Sequence, residues 1–305
     1  MKNYEKLQII KKLSDFTQER LAKELNVSFA TLNSWINDKS EPHKKSQDLI
    51  NELYRKYTGQ KTIPKDTLSS KKEIILQKSK KDILRFIYEK PDLYEEITLR
   101  LTYNTNSIEG STLSENQTAA ILFQNKSLSN KTLIEQMEAK NHQAAMQFLF
   151  KYLIRGEKIN EELILRLHAI LMNGIRDDAG FYRNHGVRIV GSNVPTANYL
   201  KIPDLMSALS RKLQIKHKDL ITFATKVHSE FEKIHPFSDG NGRVGRLILA
   251  AMLLEANLPP AIILQENKQL YYSYLRKSQL EEDHSLLEDF ICDAILYTDS
   301  LFTEQ

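Results

Sequence analysis

A single cysteine, Cys292, and a single tryptophan occur among 305 residues. One cysteine excludes an internal disulfide or a cysteine metal cluster. Its neighbours Phe290, Ile291 and Ile295 mark it as a buried thiol. Ten glycines and eight prolines are few for this length, which argues against a turn-rich β fold. No apolar run approaches the ~20 residues of a membrane span. The first thirteen residues carry lysines but no unbroken apolar stretch, so no secretory signal is expected. These absences predict a reducing, cytoplasmic setting with ATP at hand and no membrane partner. What is present, 41% hydrophobic residues largely at helical spacing, predicts an all-α protein with one large core and a smaller second domain.

Charge divides the chain. Residues 1–90 hold 20 Lys and Arg against 12 Asp and Glu, whereas the remaining 215 hold 23 against 27. A basic module on a mildly acidic body suggests an anionic partner at the N-terminal end. Within residues 1–58, Thr17-Gln-Glu-Arg-Leu-Ala-Lys-Glu-Leu25 reads as a short amphipathic helix and Asn26-Val27 as a turn. Ser28 caps a second helix running to about Asn37. Leu21, Ala22, Leu25, Val27, Leu32 and Ile36 form the expected core. This module resembles the helix-turn-helix of phage repressors, with Asn in place of the usual turn Gly; Asn tolerates the left-handed backbone required there. The resemblance implies DNA binding through Ser28, Phe29 and Asn33, with Lys39 and Lys44 reaching phosphates. Its recognition face lacks Arg and Gln, so a protein-docking module of the same topology stays open. Polar residues 59–70, punctuated by Gly, Pro and Ser, read as a linker to a domain over 71–300.

The chemistry concentrates in His235-Pro-Phe-Ser-Asp-Gly-Asn-Gly-Arg-Val-Gly-Arg246. Helical patterns flank it, so it is a tight loop between two buried helices. Gly240, Asn241 and Gly242 can turn successive N–H groups toward one point, and a helix starting there adds its positive end. Arg243 and Arg246 fall on one face of that helix. The stretch thus reads as a polyphosphate cradle beside a base. Gly240-x-Gly242-x-x-Gly245 matches a dinucleotide fingerprint by letter, but a helix precedes it where that motif needs a strand. A calcium loop fails as well, because Ala250 stands where it requires Glu.

The whole string resembles the signature of the Fic family of AMP-transferases, met at every position. That resemblance implies transfer of AMP from ATP to a Ser, Thr or Tyr hydroxyl of a target protein. His235 would be the general base, Asp239 the holder of Mg²⁺, and Gly240, Asn241, Gly242, Arg243 and Arg246 the phosphate-binding set. Upstream, Thr105-Asn-Ser-Ile-Glu109-Gly110 reads as a helix end with Gly110 as its left-handed cap, and Thr112-x-x-Glu115 as the capping box of the next helix. A glutamate there opposes the helix dipole. The segment resembles the Fic inhibitory motif, on a helix of about 98–110, in which Glu109, with Thr105 and Gly110, would pair with Arg246 and misplace the nucleotide. His142 and His168 lie within helical patterns and read as packed side chains.

Gly180-Phe-Tyr-Arg183 leads into two short β-type runs, 187–190 and 194–197, predicting a small hairpin. In the Fic family the hairpin is a flap, which implies target docking along Val187, Ile189, Val190 and Val194. Asn267-Lys-Gln-Leu-Tyr-Tyr-Ser-Tyr-Leu275 resembles the family's adenine segment, making Asn267, Tyr271 and Tyr272 candidates for the base. Auto-modification and a homodimer belong with the expected partners. Removal of AMP by the same site, and a DNA-bound regulator that only senses nucleotide, are the alternatives. The Doc-like kinases of this fold carry Gly-Asn-Lys where this chain has Gly-Asn-Gly-Arg, which disfavours phosphorylation.

Overall fold

A computed structural model describes residues 2–14, 16–58, 63, 65–78, 82–189, 194–215 and 217–302. Its regular structure among them is helical. The N-terminal module consists of α1 (Asn3–Ser14), α2 (Gln18–Glu24), α3 (Phe29–Ile36) and α4 (Lys44–Thr58). Thr17 and Ser28 cap α2 and α3, each accepting from a backbone N–H three residues on. Asn26 takes the left-handed conformation, φ 54°, that the turn requires. Leu21, Ala22, Leu25 and Leu32 are buried together with Leu7, Ile10, Phe16, Trp35 and Ile50, while Val27 and Ile36 pack at the margin.

Next come α5 (Lys65–Lys78), α6 (Ile83–Tyr88), α7 (Pro91–Glu109), α8 (Glu115–Gln124), α9 (Leu133–Ile154) and α10 (Glu161–Leu171). They are followed by α11 (Ile202–Leu213), α12 (Leu220–Ile234), α13 (Asn241–Glu255), α14 (Lys268–Glu281) and α15 (Ser285–Ser300). One apolar core runs through all of them except α8, which closes a smaller cluster with Leu113, Ile121, Leu122 and Ala139. Helix α13 is buried on nearly every side and lies at its centre, against α12, α10, α7 and α9. The N-terminal module rests on α14, where Tyr274 Oη donates to the Lys56 carbonyl at 3.0 Å.

Three expectations are corrected. The linker is shorter than 59–70, because residues 65–70 open α5; Lys71 is held by Asp289 and Asp293, Lys72 by Asp219 and Glu288, and Ile75 is buried. Residues 59–62 and 64 lie outside the described residues. The capping box of α8 is Ser114 with Gln117, since Glu135 already takes the N–H and hydroxyl of Thr112 at 2.7 Å each. The flap shows no strand among the described residues. Among the described residues its limbs are linked by the Thr196 hydroxyl donating to the Val187 carbonyl at 2.8 Å, beside Pro195, which has no N–H to give a ladder. Val194 is buried and Val187 and Ile189 are half-buried; Val190 and the 191–193 turn lie outside the described residues.

Candidate active site

Helix α12 stops at His235, whose φ of 52° turns the chain into the loop. The loop is then stapled by its own side chains. Asn241 Oδ1 accepts from the Phe237 N–H at 2.9 Å and its Nδ2 donates to the Phe237 carbonyl at 2.8 Å. The Asn241 side chain is therefore spent inside the loop, and what it can offer a phosphate is its backbone N–H. Phe237 is fully buried and stacks on His168 with ring centroids 3.7 Å apart. The Gly180 N–H donates to His168 Nδ1 at 2.8 Å, so Nε2 carries the proton and donates to the Asp239 carbonyl at 3.1 Å. Burial holds this histidine neutral, with its pKa lowered to about 4. Gly240 turns left-handed at φ 76°, and a Cβ there would press on Met172 Sδ at 2.8 Å. Among the described residues no side chain caps α13, which leaves the N–H groups of its first turn able to meet an anion.

His235 is well shielded, and its own backbone sets its tautomer. Nδ1 lies 3.3 Å from the Glu232 carbonyl, which only accepts, so the proton sits on Nδ1 and Nε2 keeps its lone pair. Burial lowers the pKa, against the pull of that carbonyl, and Arg183 lowers it further. A neutral imidazole with a free Nε2 is ready to take a proton.

The two arginines differ. Arg243 Nη1 donates to Glu138 Oε1 at 2.6 Å, and Asp239 Oδ1 lies 3.6 Å from Nη2. It is 2% exposed, so in this structure it holds the loop to α9. Glu138 carries no motif and escapes a reading by sequence. Arg246 Nη2 donates to Glu109 Oε1 at 2.6 Å and its Nε to Thr105 Oγ1 at 2.7 Å. Gly110, at φ 109°, ends α7 directly behind Glu109. Burial opposes the Arg246 charge, but Glu109 together with Tyr271 and Tyr272 more than offsets it and the pKa is raised. A Cβ built on Gly242 would overlap Glu109 Oε1, which places the carboxylate over the cradle. Among the described residues Arg246 Nη1 is buried without a hydrogen-bond partner, a donor that a phosphate oxygen would satisfy.

Behind Arg246 lies Glu232, buried, its pKa raised to about 7 by desolvation, with Arg246 opposing and Glu109 adding. Tyr271 is 0% exposed and its hydroxyl meets His228 Nε2 at 2.7 Å. It is closed to a base here, which corrects the expectation that it contacts adenine; its ring belongs to the core behind Arg246. Tyr272 is 36% exposed and stays available, as does the half-buried Asn267. Asp239 is 54% exposed, with one oxygen accepting from the Gly240 N–H at 2.6 Å. A single open carboxylate suits a hard cation that takes its remaining ligands from phosphate and water. Ser28, Phe29, Asn33, Lys39 and Lys44 are all exposed on the N-terminal module.

Residues 158–253 match the Fic/DOC family model, and residues 7–46 match a helix-turn-helix model. The chain is similar to the protein adenylyltransferase Fic of Nematostella vectensis, at 31% identity over 194 residues, 62% of this chain and 44% of that protein. Its counterpart in Drosophila melanogaster is 29% identical over 232 residues, 73% of this chain and 46% of that protein. The chain thus spans less than half the length of these curated relatives. A Fic family protein from Desulfovibrio desulfuricans superposes with a TM-score of 0.66 at 26% identity, covering 80% of this chain and 76% of that one. A fragment of Fic-1 from C. elegans shares the fold, with a TM-score of 0.68 at 21% identity over 97% of this chain and 86% of its own.

Proposed function

From a chain that carries a Fic domain and an N-terminal helix-turn-helix domain, we propose a protein adenylyltransferase held inactive by its own Glu109. The reaction moves AMP from ATP to a Ser, Thr or Tyr hydroxyl of a protein. His235 Nε2 takes the hydroxyl proton, the oxygen attacks the α-phosphorus, and the bond to the β-phosphate oxygen breaks to release pyrophosphate. The N–H groups at the start of α13 face the charge that develops on the transferred phosphate; one such donor is worth about 2.7–4 kcal/mol. Asp239 would hold Mg²⁺, which neutralises phosphate charge when bound. Arg246 clamps the remaining phosphates once freed. Asn267 and Tyr272 are the base contacts.

One observation carries this reading: Glu109 is bonded to Arg246 and stands over Gly242, in the place an anionic nucleotide needs. A bias of roughly 2–3 kcal/mol toward this pairing leaves about 0.6–3 per cent of the molecules competent. ATP labelled at the α-phosphate, offered with cell lysate to wild type, Glu109→Gly and His235→Ala, tests the proposal. Label on protein is expected with the Glu109 variant and absent with the His235 variant. No label with Glu109→Gly, given intact ATP binding, overturns it.

Glu109 at the cradle also favours a second reading, in which its carboxylate aligns a water to remove AMP. Glu109-dependent loss of label from a pre-modified target is the result that would establish it. The exposed Ser28–Asn33 face, with Lys39 and Lys44 behind it in the chain, supports DNA as the anionic partner of the N-terminal module. Electrophoretic shifts that weaken steeply with salt are expected there.

A further inference from the structure

Arg183 enters the chemistry above only through its charge near His235, yet it is 3% exposed and has no carboxylate partner among the described residues. Its guanidinium is spent on backbone carbonyls. Nε donates to His235 O at 2.8 Å, Nη1 to His185 O at 2.6 Å, and Nη2 to Ala197 O at 2.6 Å and Ile234 O at 3.5 Å. The Arg183 N–H donates to Pro236 O at 3.0 Å. A buried cation without a counter-ion is costly unless its donors are satisfied. These acceptors come from separate segments: the turn that carries His235, the chain entering the flap and the chain leaving it. A planar five-donor fork can reach all of them from one centre; a lysine ammonium cannot. His235 also sits in a left-handed conformation uncommon for a residue with a side chain. Such a backbone persists only when its surroundings over-determine it, and Arg183 binds three successive carbonyls across that turn.

We propose that Arg183 is a positioning residue that locks the flap and the His235 turn into one unit, so that a hydroxyl delivered by the flap meets Nε2 in register. The inference rests on the transfer reading above. Arg183 also opposes protonation of His235. Glu109 from α7, Asp239 from the loop and the Glu232 carbonyl from α12 favour it.

Arg183→Lys and Arg183→Gln, each in the Glu109→Gly background, test the proposal. Both should lose about 10- to 100-fold in AMP transfer, the scale of an ångström-level misplacement. ATP binding by calorimetry should stay within about twofold, a split that general destabilisation would not produce. Amide exchange should rise together in residues 185–189, 194–198 and 234–237. The His235 imidazole, followed by NMR, should titrate higher in the Gln variant than in the Lys variant, which retains the charge. Transfer by Arg183→Lys within about threefold of its parent would overturn the clamp, as would faster exchange confined to one of those segments. Should the Glu109→Gly parent transfer no AMP, the functional reading falls, while exchange in the coupled segments still decides whether Arg183 joins them. Should the Gln variant fail to fold, the Lys variant alone carries the exchange test.

Discussion

Arg243 and Arg246 leave α13 less than one turn apart, and each meets a carboxylate at 2.6 Å, but the carboxylates differ in kind. Glu138 belongs to the interior of the 22-residue α9, and the side chains of its pair are 3% and 17% exposed. Glu109 is the last residue of α7, one-third exposed, at the end where the helix dipole disfavours an anion. A carboxylate in the interior of a long helix cannot leave without exposing its arginine's neighbours. One at a helix end, before a left-handed glycine, can leave by side-chain rotation. The same kind of ion pair is therefore a strut on one side of the loop and, under the proposed function, a latch on the other.

Removing the strut should have the largest effect. Glu138→Ala leaves Arg243 charged and buried with only the exposed Asp239 carboxylate, 3.6 Å from Nη2, at a cost approaching the ~3–5 kcal/mol of a broken buried pair. Thermal denaturation should register a fall on the order of 10 °C. A loss below about 1 kcal/mol would show that Arg243 is not pinned by this pair.

Acid should attack the His168 tie at the other end of the same loop. Its folded pKa, about 4, lies below the ordinary value of 6.5, so the unfolded chain binds more protons between these limits. Its stabilising contribution is whole above pH 6.5 and is lost as pH falls toward 4, on the order of 3 kcal/mol in all. Glu232 runs the opposite way, because its pKa is raised to about 7 and its contribution is lost as pH rises from 4.5 through 7. Urea titrations across pH 4–7 should show His168→Gln flattening the acid limb of the profile. An unchanged limb would place the acid sensitivity elsewhere.

Opening the latch should be milder for the fold and stronger for activity. Glu109→Gly should cost about 1 kcal/mol of stability, because the Glu109 carboxylate is partly exposed and the buried Arg246 keeps its bonds to Thr105. It should raise AMP transfer by roughly 30- to 160-fold, corresponding to about 2–3 kcal/mol. A stability loss as large as that of Glu138→Ala would erase the distinction between strut and latch. The smallest effect belongs to Thr105→Val, which removes the hydroxyl accepting from Arg246 Nε. About 1 kcal/mol of the latched state is lost, and a several-fold rise in transfer should follow in the labelled-ATP assay.

Much of this was legible in the residues because it is local. Ser28 as a cap, Asn26 as a left-handed turn and Gly110 behind Glu109 follow from backbone preferences that act within a few residues. The loop from His235 to Arg246 reads as a base beside an anion cradle because its glycines, its histidine and the start of α13 are contiguous. Where distant groups compete for the same atoms, local reading failed. Thr112 looks like a cap until Glu135 takes it. The flap looks like a hairpin, but among the described residues it forms no strand and a side-chain hydroxyl links its limbs. Tyr271 looks like a base contact until its ring is found sealed in the core.

The sequence by itself determined that the chain is helical, that its N-terminal module turns at Asn26, and that His235 and the cradle stand together. Each depends on torsional preference, apolar spacing or neighbours along the chain. Only the tertiary structure decided which carboxylate each arginine meets, that Asn241 closes the loop upon Phe237, and that Arg183 gathers carbonyls from both ends of the flap. Those choices link residues 14 to 137 positions apart, as well as the four-residue loop staple. They turn on where buried donors find acceptors once the core has closed, which chain order does not encode locally.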